Sequence, residues 1–436
     1  MTVTLRRILE APIADLTFTD IETLIREEAE EGPRLELKRG LPANDRQVDP
    51  WMTGGGRIGN PARDGLAKEV VALANAYGGA VVVGVDETDD HPKRARGPDP
   101  VVVPRVVELA ERMQQTLDSL IDPPLAVLEV RGIERPGGDG EGVLIIRTGS
   151  STRAPHGHGR PPLAYMRRGS RSEPMTMRDL QSVLFETRTR GERVAALLAE
   201  RRAALTSMVA RGAARLTLST GQPVRADQVA LYFRCTLIAT EDLQLRTDDL
   251  TRQAGMIRPR PGGAPPAFGG GIFHMGWHPR LHGVETIDSS QRHFSRWFFG
   301  DHGIVDVYGL LMCDTYRQHT DAFPPSLFPP VALQVLALGE RLRRFASRPE
   351  VELVLECEFI FPGTATAVAG DGRPFDDGVQ ITEPEARIGP FSLGNLEDWR
   401  TVFAEVERGI WNACGMRVAG HLDFPLEQWL AEMGAA

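Results

Sequence analysis

The chain has 436 residues, 42% of them apolar and 25% charged, enough for two ordinary domains with cores of their own and unlike disorder, collagen or coiled coil. No apolar run reaches the roughly 18 residues of a membrane span, and no apolar stretch follows Arg6 and Arg7 as a secretory leader requires, so a cytoplasmic protein without a membrane partner is expected. The balance of 50 basic against 59 acidic residues, −9 overall, is not that of a nucleic-acid binder as a whole.

In chain order, Thr19 or Asp20 is placed to cap a helix running to about residue 29, with Ile21, Leu24 and Ile25 on one face. Gly32 and Pro33 stop it. Leu35 to Lys38 reads as a short strand, with Leu35 and Leu37 pointing one way and Glu36 and Lys38 the other. Residues 39–64 are polar and rich in Gly and Pro, which predicts a long loop or flap. A helix is predicted over 65–77, with Leu66, Val70, Leu73 and Tyr77 at helical spacing and Gly78-Gly79 ending it. The β-branched run 80–85 predicts a buried strand ending at Asp86-Glu87. A helix over 105–120, strands over 125–130, 143–147 and 163–167, and a helix over 177–187 complete an α/β domain spanning 18–187. An amphipathic helix over 192–210 lies in a helical linker, 188–220, to a C-terminal α+β domain, 221–436. In that domain the pattern predicts a strand over 229–238 and a Pro/Gly loop over 258–271. Beyond these come a hairpin whose strands flank Gly300-Asp301-His302-Gly303, a helix over 331–345, a strand over 351–361 and a helix over 396–412. Cys235, Cys313, Cys357 and Cys414 have no CxxC spacing and read as buried thiols.

Charge is uneven along the chain. Residues 152–215 hold thirteen Arg and five acids, a local +8, leaving −17 for the rest. Such a segment is either a basic surface facing an anionic partner or a solvated, Arg-rich pair of helices. Lysine is scarce: Lys38, Lys68 and Lys93 are the only ones among the 50 basic residues.

The predicted topology brings acids together. Glu31 precedes the first strand, Glu36 and Lys38 share one of its faces, and Asp86-Glu87 end a neighbouring strand, where α/β sheets gather ligands. Convergent carboxylates suit a hard cation such as Mg²⁺ or Mn²⁺, and an ammonium beside them can stabilise charge on a phosphate under attack. Taken alone, Glu-x-Lys on a strand reads as a solvent-exposed ion pair, and the scarcity of Lys in this chain shifts that reading toward function.

Three segments carry a resemblance: Glu31-Gly-Pro-Arg-Leu-Glu36-Leu-Lys38, Leu73-Ala-Asn75-Ala-Tyr-Gly78-Gly79 and Gly84-Val85-Asp86-Glu87. With Pro155-His156 and Tyr165-Met-Arg167-Arg-Gly169 they follow in order over about residues 18–187. In these the chain resembles the Schlafen-type AlbA-like domain. The resemblance implies a metal-dependent endoribonuclease acting on tRNA or other structured RNA, possible phage defence, and a homodimer. The family's two glutamates five residues apart fall on Glu31 and Glu36, and its third acid on Glu87, where Asp is usual, or on Asp86. The implied catalytic set is Glu31, Glu36, Lys38 and Glu87. The implied metal ligands are Glu31, Glu36, Asp86 and Glu87. Arg39, His156, Arg167, Arg168 and Arg171 are candidates for nucleic-acid contact. The chain departs from the family in three ways: the longer third acid, some two dozen residues inserted after Lys38, and no cysteine before residue 235 to build the zinc site of animal members. A non-catalytic DNA- or RNA-binding or nucleotide-binding regulator is the alternative.

Other signals compete with simpler readings. The run 54–59 fits GxGxxG, but no apolar strand precedes it and Asn60-Pro61 follows, so it reads as a flap over the acids. His274, His278 and His282 recur every four residues, yet Gly276 and Pro279 forbid a regular helix, which favours ordinary loop histidines over a metal site. His156 and His158 lie in a Gly/Pro loop, available for a phosphate or simply exposed. Asn75 reads as a support for the Gly78-Gly79 turn, and Trp297, Phe298 and Phe299 as core.

Overall fold

The computed structural model describes residues 3–44, 47–151, 153–211, 228–255, 276–289, 293–316, 319–346, 348, 351–368, 378–394 and 398–417. The chain is mixed α/β and divides into two compact units, Met1–Gly191 and Glu192–Ala436.

In the first unit the elements run α1 (Val3–Glu10), α2 (Phe18–Arg26), β1 (Leu35–Lys38), α3 (Asn60–Ala74), β2 (Gly79–Val83), β3 (Asp86–Glu87), β4 (Ala95–Arg96) and α4 (Val106–Leu120). They continue with β5 (Ile121–Asp122), β6 (Leu128–Glu134), β7 (Gly142–Thr148), β8 (Gly157–His158), β9 (Leu163–Arg168), β10 (Arg171–Pro174) and the start of α5 (Met177–Arg211). The main sheet has the order β1-β2-β7-β6, with β1 and β2 parallel and the other pairings antiparallel. A parallel pair needs a crossover, and the segment carrying α3 provides it.

Alternation along the strands divides the side chains between two cores. Leu35, Leu37, Ala80, Val82, Val143 and Ile145 face α1 and α2, whereas Val81, Val83, Leu144 and Ile146 face α3 and α4. The unit is therefore three-layered. A smaller antiparallel sheet, β10-β9-β8-β5, carries Tyr165 against the α3–α4 core.

Helix α2 begins earlier than the sequence predicts. Thr17 is its N-cap, and Asp20 is the N3 acid, accepting from the Thr17 backbone N–H at 2.8 Å. Residues 39–64 are not a free flap. Asp49 accepts from the N–H groups of Trp51 and Gly59, both at 2.9 Å. The Trp51 indole is fully buried and donates to the Pro104 carbonyl at 2.8 Å, and the Arg105 guanidinium stacks 4.0 Å from its ring. This indole pins the strap to the domain.

Gly79 opens β2 at φ 149°, and a Cβ there would lie 2.3 Å from the Arg34 carbonyl oxygen. That oxygen accepts the Ala80 N–H at 2.9 Å, the bond that starts the β1–β2 pairing. Gly79→Ala is expected to destabilise the unit by about 1–3 kcal/mol through backbone strain, read as a lower urea midpoint. An unchanged midpoint would mean that the pairing shifts at no cost.

In the second unit, the rest of α5 is followed by β11 (Val229–Ala239), α6 (Thr247–Gly255), β12 (His278–Arg280), β13 (Gly283–Ser289), β14 (His293–Gly300), β15 (Ile304–Met312), β16 (Asp314–Tyr316) and β17 (His319–Phe323). Then come α7 (Pro329–Phe345), β18 (Leu353–Ile360), β19 (Thr366–Ala367), β20 (Val379–Gln380), β21 (Glu385–Leu393) and α8 (Asp398–Ala413). A seven-stranded antiparallel sheet has the order β12-β13-β14-β15-β11-β18-β21. Its β14–β15 hairpin turns at Gly300-Asp301-His302-Gly303, as its sequence predicts. Phe233, Leu237, Trp297, Phe299, Val307 and Phe359 pack with α7 and α8 in one core. Leu198, Leu205 and Met208 of α5 pack with Tyr232, Ile238, Ile304 and Leu310. On this face Arg234 is paired with Glu356 and Glu358, all three buried.

Cys235, Cys357 and Cys414 are buried thiols and Cys313 is half-buried. His274 and the 258–271 loop lie outside the described residues. The predicted 177–187 and 192–210 helices are one continuous helix, α5. Among the described residues, no helix is long and apolar enough to cross a membrane.

Candidate functional site

The acids meet at the C-terminal end of the parallel β1–β2 pair. The Lys38 carbonyl accepts the Gly84 and Val85 N–H groups at 2.7 and 3.1 Å, so the chain leaving β2 turns beside the end of β1. The Glu31 N–H donates to the Lys93 carbonyl at 2.9 Å, which ties the segment before β1 to the β3–β4 hairpin. Three distant stretches therefore share one edge.

Glu31 is buried, and its Oε1 accepts the Leu37 N–H at 2.8 Å. Glu36 is also buried, with one oxygen on the Lys38 ammonium and the other 2.5 Å from Arg167 Nη2. Glu87 places Oε1 on the Lys93 ammonium, and its Oε2 is shut off from solvent. Asp86 instead reaches Arg96 Nη2 at 3.3 Å, because neighbours on a strand point to opposite sides. Glu87 is thus the acid that joins Glu31.

Crowding shows in the electrostatics. Burial, then the charge of Glu36 and the nearness of Glu87, push the Glu31 carboxyl up to about 7, against the opposing pull of the Leu37 N–H. Burial alone would lower the pKa of the Lys38 ammonium, but Glu36, Glu69 and Glu31 outweigh it and hold it above its ordinary value.

The three lysines of the chain all serve this cluster. Lys38 pairs with Glu36, Lys93 with Glu87, and Lys68 with Glu69 at 3.4 Å. Lysine is a compact point charge on a flexible stem, able to change partner where the planar Arg fork is committed to one geometry.

Arg167 is such a committed fork. It is fully buried and donates to the carbonyls of Gly32 (3.2 Å) and Leu35 (3.1 Å) and to Glu69 (3.2 Å), besides Glu36. From sequence, Arg167 is a candidate for nucleic-acid contact. Its burial instead makes it the brace that joins β9, β1 and α3.

Glu69, the other acid on this brace, is not among the acids that the sequence motifs single out. Its signal in the sequence is an acid at position 69 inside the apolar stripe of Leu66, Val70 and Leu73.

His156 is also corrected by its burial. It is fully buried, with Nδ1 2.6 Å from the Pro123 carbonyl and Nε2 2.6 Å from Ser151 Oγ. Asn75 does more than support a turn. It donates to the carbonyls of His156 (2.9 Å) and Tyr165 (2.8 Å) and accepts the His156 N–H at 2.7 Å, fastening the β8–β9 segment to α3. His158 stacks on Tyr165. Arg39, Arg168 and Arg171 are exposed, and Arg168 pairs with Asp179 at 2.6 Å.

Against known proteins, the profile of the Schlafen, AlbA_2 family matches residues 31–176. Those residues form a Schlafen AlbA_2 domain. The match takes in Glu31, Glu36, Lys38, Glu87 and Arg167. It ties the first unit to a nucleic-acid-related function, in a family that includes nucleases. A solved structure similar to this chain is the N-terminal domain of a RecG-related protein from Nitrosomonas europaea, at 21% identity and a TM-score of 0.21, covering 37% of this chain and 95% of that one. No curated protein matches.

The donors gathered at this edge of the AlbA_2 domain are carboxylate oxygens, the kind a hard divalent cation takes. Glu87 Oε2 is shut off from solvent, and the Glu31 carboxyl, raised to about 7, is hydrogen-bonded to Glu87, so that a proton sits where a cation would also be held between them. Glu36 differs, being already met by Lys38 and Arg167. Among the described residues, these acids are not a trio whose oxygens lie within 4.8 Å of one another; His282, Asp301 and His302 are.

Proposed function

We propose that the AlbA_2 domain is a metal-dependent endoribonuclease using Mg²⁺ or Mn²⁺. The observation that carries this reading is the crowding of buried carboxylates that pushes Glu31 up to about 7. Like charges are gathered in low dielectric only where something compensates them, and such perturbed acids cluster at functional sites. Glu31 and Glu87 would hold the cation with Glu36 as the third acid, while Asp86 is committed to Arg96. When bound, the cation supplies an activated water and neutralises charge on the phosphate.

In this reading Lys38 gives its ammonium to a non-bridging phosphate oxygen, a contact its flexible stem allows. Arg167 holds Glu36 in place from behind. The exposed Arg39, Arg168 and Arg171 contact the RNA backbone without reading its sequence. Structured RNA such as tRNA is the substrate class that the family resemblance suggests, and an antiviral role rests on that resemblance alone.

Incubation of labelled tRNA with the full chain and Mn²⁺ tests the reading. Glu87→Gln is expected to lower the cleavage rate by roughly 100-fold or more, the loss of a few kcal/mol of charge stabilisation. Undiminished cleavage by this variant would remove the acids from the mechanism.

The pairing of Glu36 with both Lys38 and Arg167 favours a second reading, a non-catalytic nucleic-acid-binding regulator. That reading expects salt-sensitive RNA binding with no cleavage by the native chain and no change in Glu87→Gln.

A further inference from the structure

We propose that the second unit carries a divalent transition-metal site, suited to Zn²⁺, on His282, Asp301 and His302. One ligating atom from each of these side chains lies within 4.8 Å of the other two. The site belongs to the β14–β15 hairpin loop and the β12–β13 turn beside it, and it is independent of the acids of the AlbA_2 domain.

The backbone holds the three residues in place. The Asp301 N–H donates to the His282 carbonyl at 3.0 Å, the Leu245 N–H to the Asp301 carbonyl at 2.9 Å, and the Ala239 N–H to the Gly303 carbonyl at 2.9 Å. Each histidine is followed by a glycine that permits the close approach. Gly303 has φ 80°, and a Cβ there would lie 2.7 Å from Ala239 Cβ; at Gly283 it would lie 2.0 Å from the Phe299 carbonyl oxygen.

The spacing of the side chains approaches that of a coordination shell, with each histidine facing a different oxygen of the Asp301 carboxylate. His282 Nδ1 is 3.4 Å from Asp301 Oδ2, and His302 Nε2 is 3.5 Å from Asp301 Oδ1. Those separations are long for charged hydrogen bonds. Two ligands at the usual Zn–N and Zn–O distances, at tetrahedral angles, lie about 3.3 Å apart. Asp301 Oδ1 is moreover shut off from solvent and has no hydrogen-bond partner.

An orienting carboxylate stands behind. His302 Nδ1 meets Asp242 Oδ2 at 2.9 Å, which leaves Nε2 as the ligating nitrogen. Asp242 is itself fixed by the Gln244 N–H, at 2.8 Å from its other oxygen. A carboxylate on the far nitrogen of a ligating histidine fixes its tautomer and ring orientation, as in known zinc sites. Two imidazoles and one carboxylate favour Zn²⁺ over Mg²⁺ or Ca²⁺, which prefer an all-oxygen shell. The exposed histidines leave the fourth position to water.

Calorimetric titration of the chelator-stripped full chain with Zn²⁺ is the test. One tight equivalent is expected for the native chain, undiminished by millimolar Mg²⁺ and absent in both H282A/H302A and Asp301→Asn. Asp242→Asn keeps every ligand and is expected to weaken binding about 10–100-fold. Zn²⁺ should raise the melting temperature of the native chain but not of H282A/H302A. Circular dichroism checks that the variants fold; Asp301→Asn, close in shape to the native residue, decides the matter if the double variant does not. No uptake by the native chain, or equal uptake by native chain and Asp301→Asn, overturns the proposal.

Discussion

Replacing Arg167 with methionine is expected to cost the N-terminal unit about 3–5 kcal/mol, the usual penalty for removing one partner of a buried ion pair. Methionine fills much of the same volume, so the loss reports charge and hydrogen bonding rather than a cavity. The guanidinium is fully buried, and its removal takes from Glu36 and Glu69 the cation they share, leaving each with a single lysine, and leaves the Gly32 and Leu35 carbonyls without their donor. Urea unfolding should show a lower midpoint with an unchanged slope. Adding Glu69→Gln to Arg167→Met should recover part of the loss, because the second change removes one of the two buried charges that lost the guanidinium. A native midpoint in Arg167→Met would show that the fork is not holding the fold, and would return Arg167 to the list of phosphate contacts.

Glu31→Gln is expected to move stability and metal binding in opposite directions. Because the folded Glu31 carboxyl titrates near 7 rather than at the ordinary 4.5, the folded chain keeps a proton that the unfolded chain has released. The stabilisation this confers is complete below pH 4.5 and is lost as the pH rises through about 7. Glutamine never ionises, and its side-chain oxygen can still accept the Leu37 N–H. Without divalent cations at pH 8, the variant should therefore exceed the native chain by about 2–3 kcal/mol, the full shift being reduced by residual solvent screening, and the gap should close below pH 4.5. Under the proposed function, the same substitution should weaken Mn²⁺ binding and tRNA cleavage. Should the variant be less stable than the native chain at pH 8, the carboxylate crowding would not be what sets the Glu31 titration.

Elements written in local pattern were legible in the chain. The alternation of Leu35, Glu36, Leu37 and Lys38 defined β1 and its two faces, and the Gly300–Gly303 turn between aromatic and β-branched runs defined its hairpin. Strand β12 and helix α6 are polar and short, and nothing local marked them. The strap over 39–64 misled because its glycines and polar residues look mobile, whereas Trp51 is pinned by Pro104 and Arg105, some fifty residues onward. Helix α5 was divided in two because Gly191 weakens the local signal, although a helix tolerates one glycine at modest cost.

By itself the sequence determined which charged residues the first unit has to work with: Glu31 and Glu36 five residues apart, Asp86-Glu87 after Gly84-Val85, and lysine at three positions. It also set the domain type, because the ordered segments of an AlbA_2 domain stand at their expected places. Only the tertiary structure decided which of two neighbours does what, Glu87 rather than Asp86 beside Glu31, and Arg167 inside while Arg168 stays outside. It alone joined each lysine to a glutamate and brought His282 to Asp301 and His302. The physical reason is that a side chain's partners, its access to water and hence its charge state depend on elements far away in the chain, which composition and spacing do not encode.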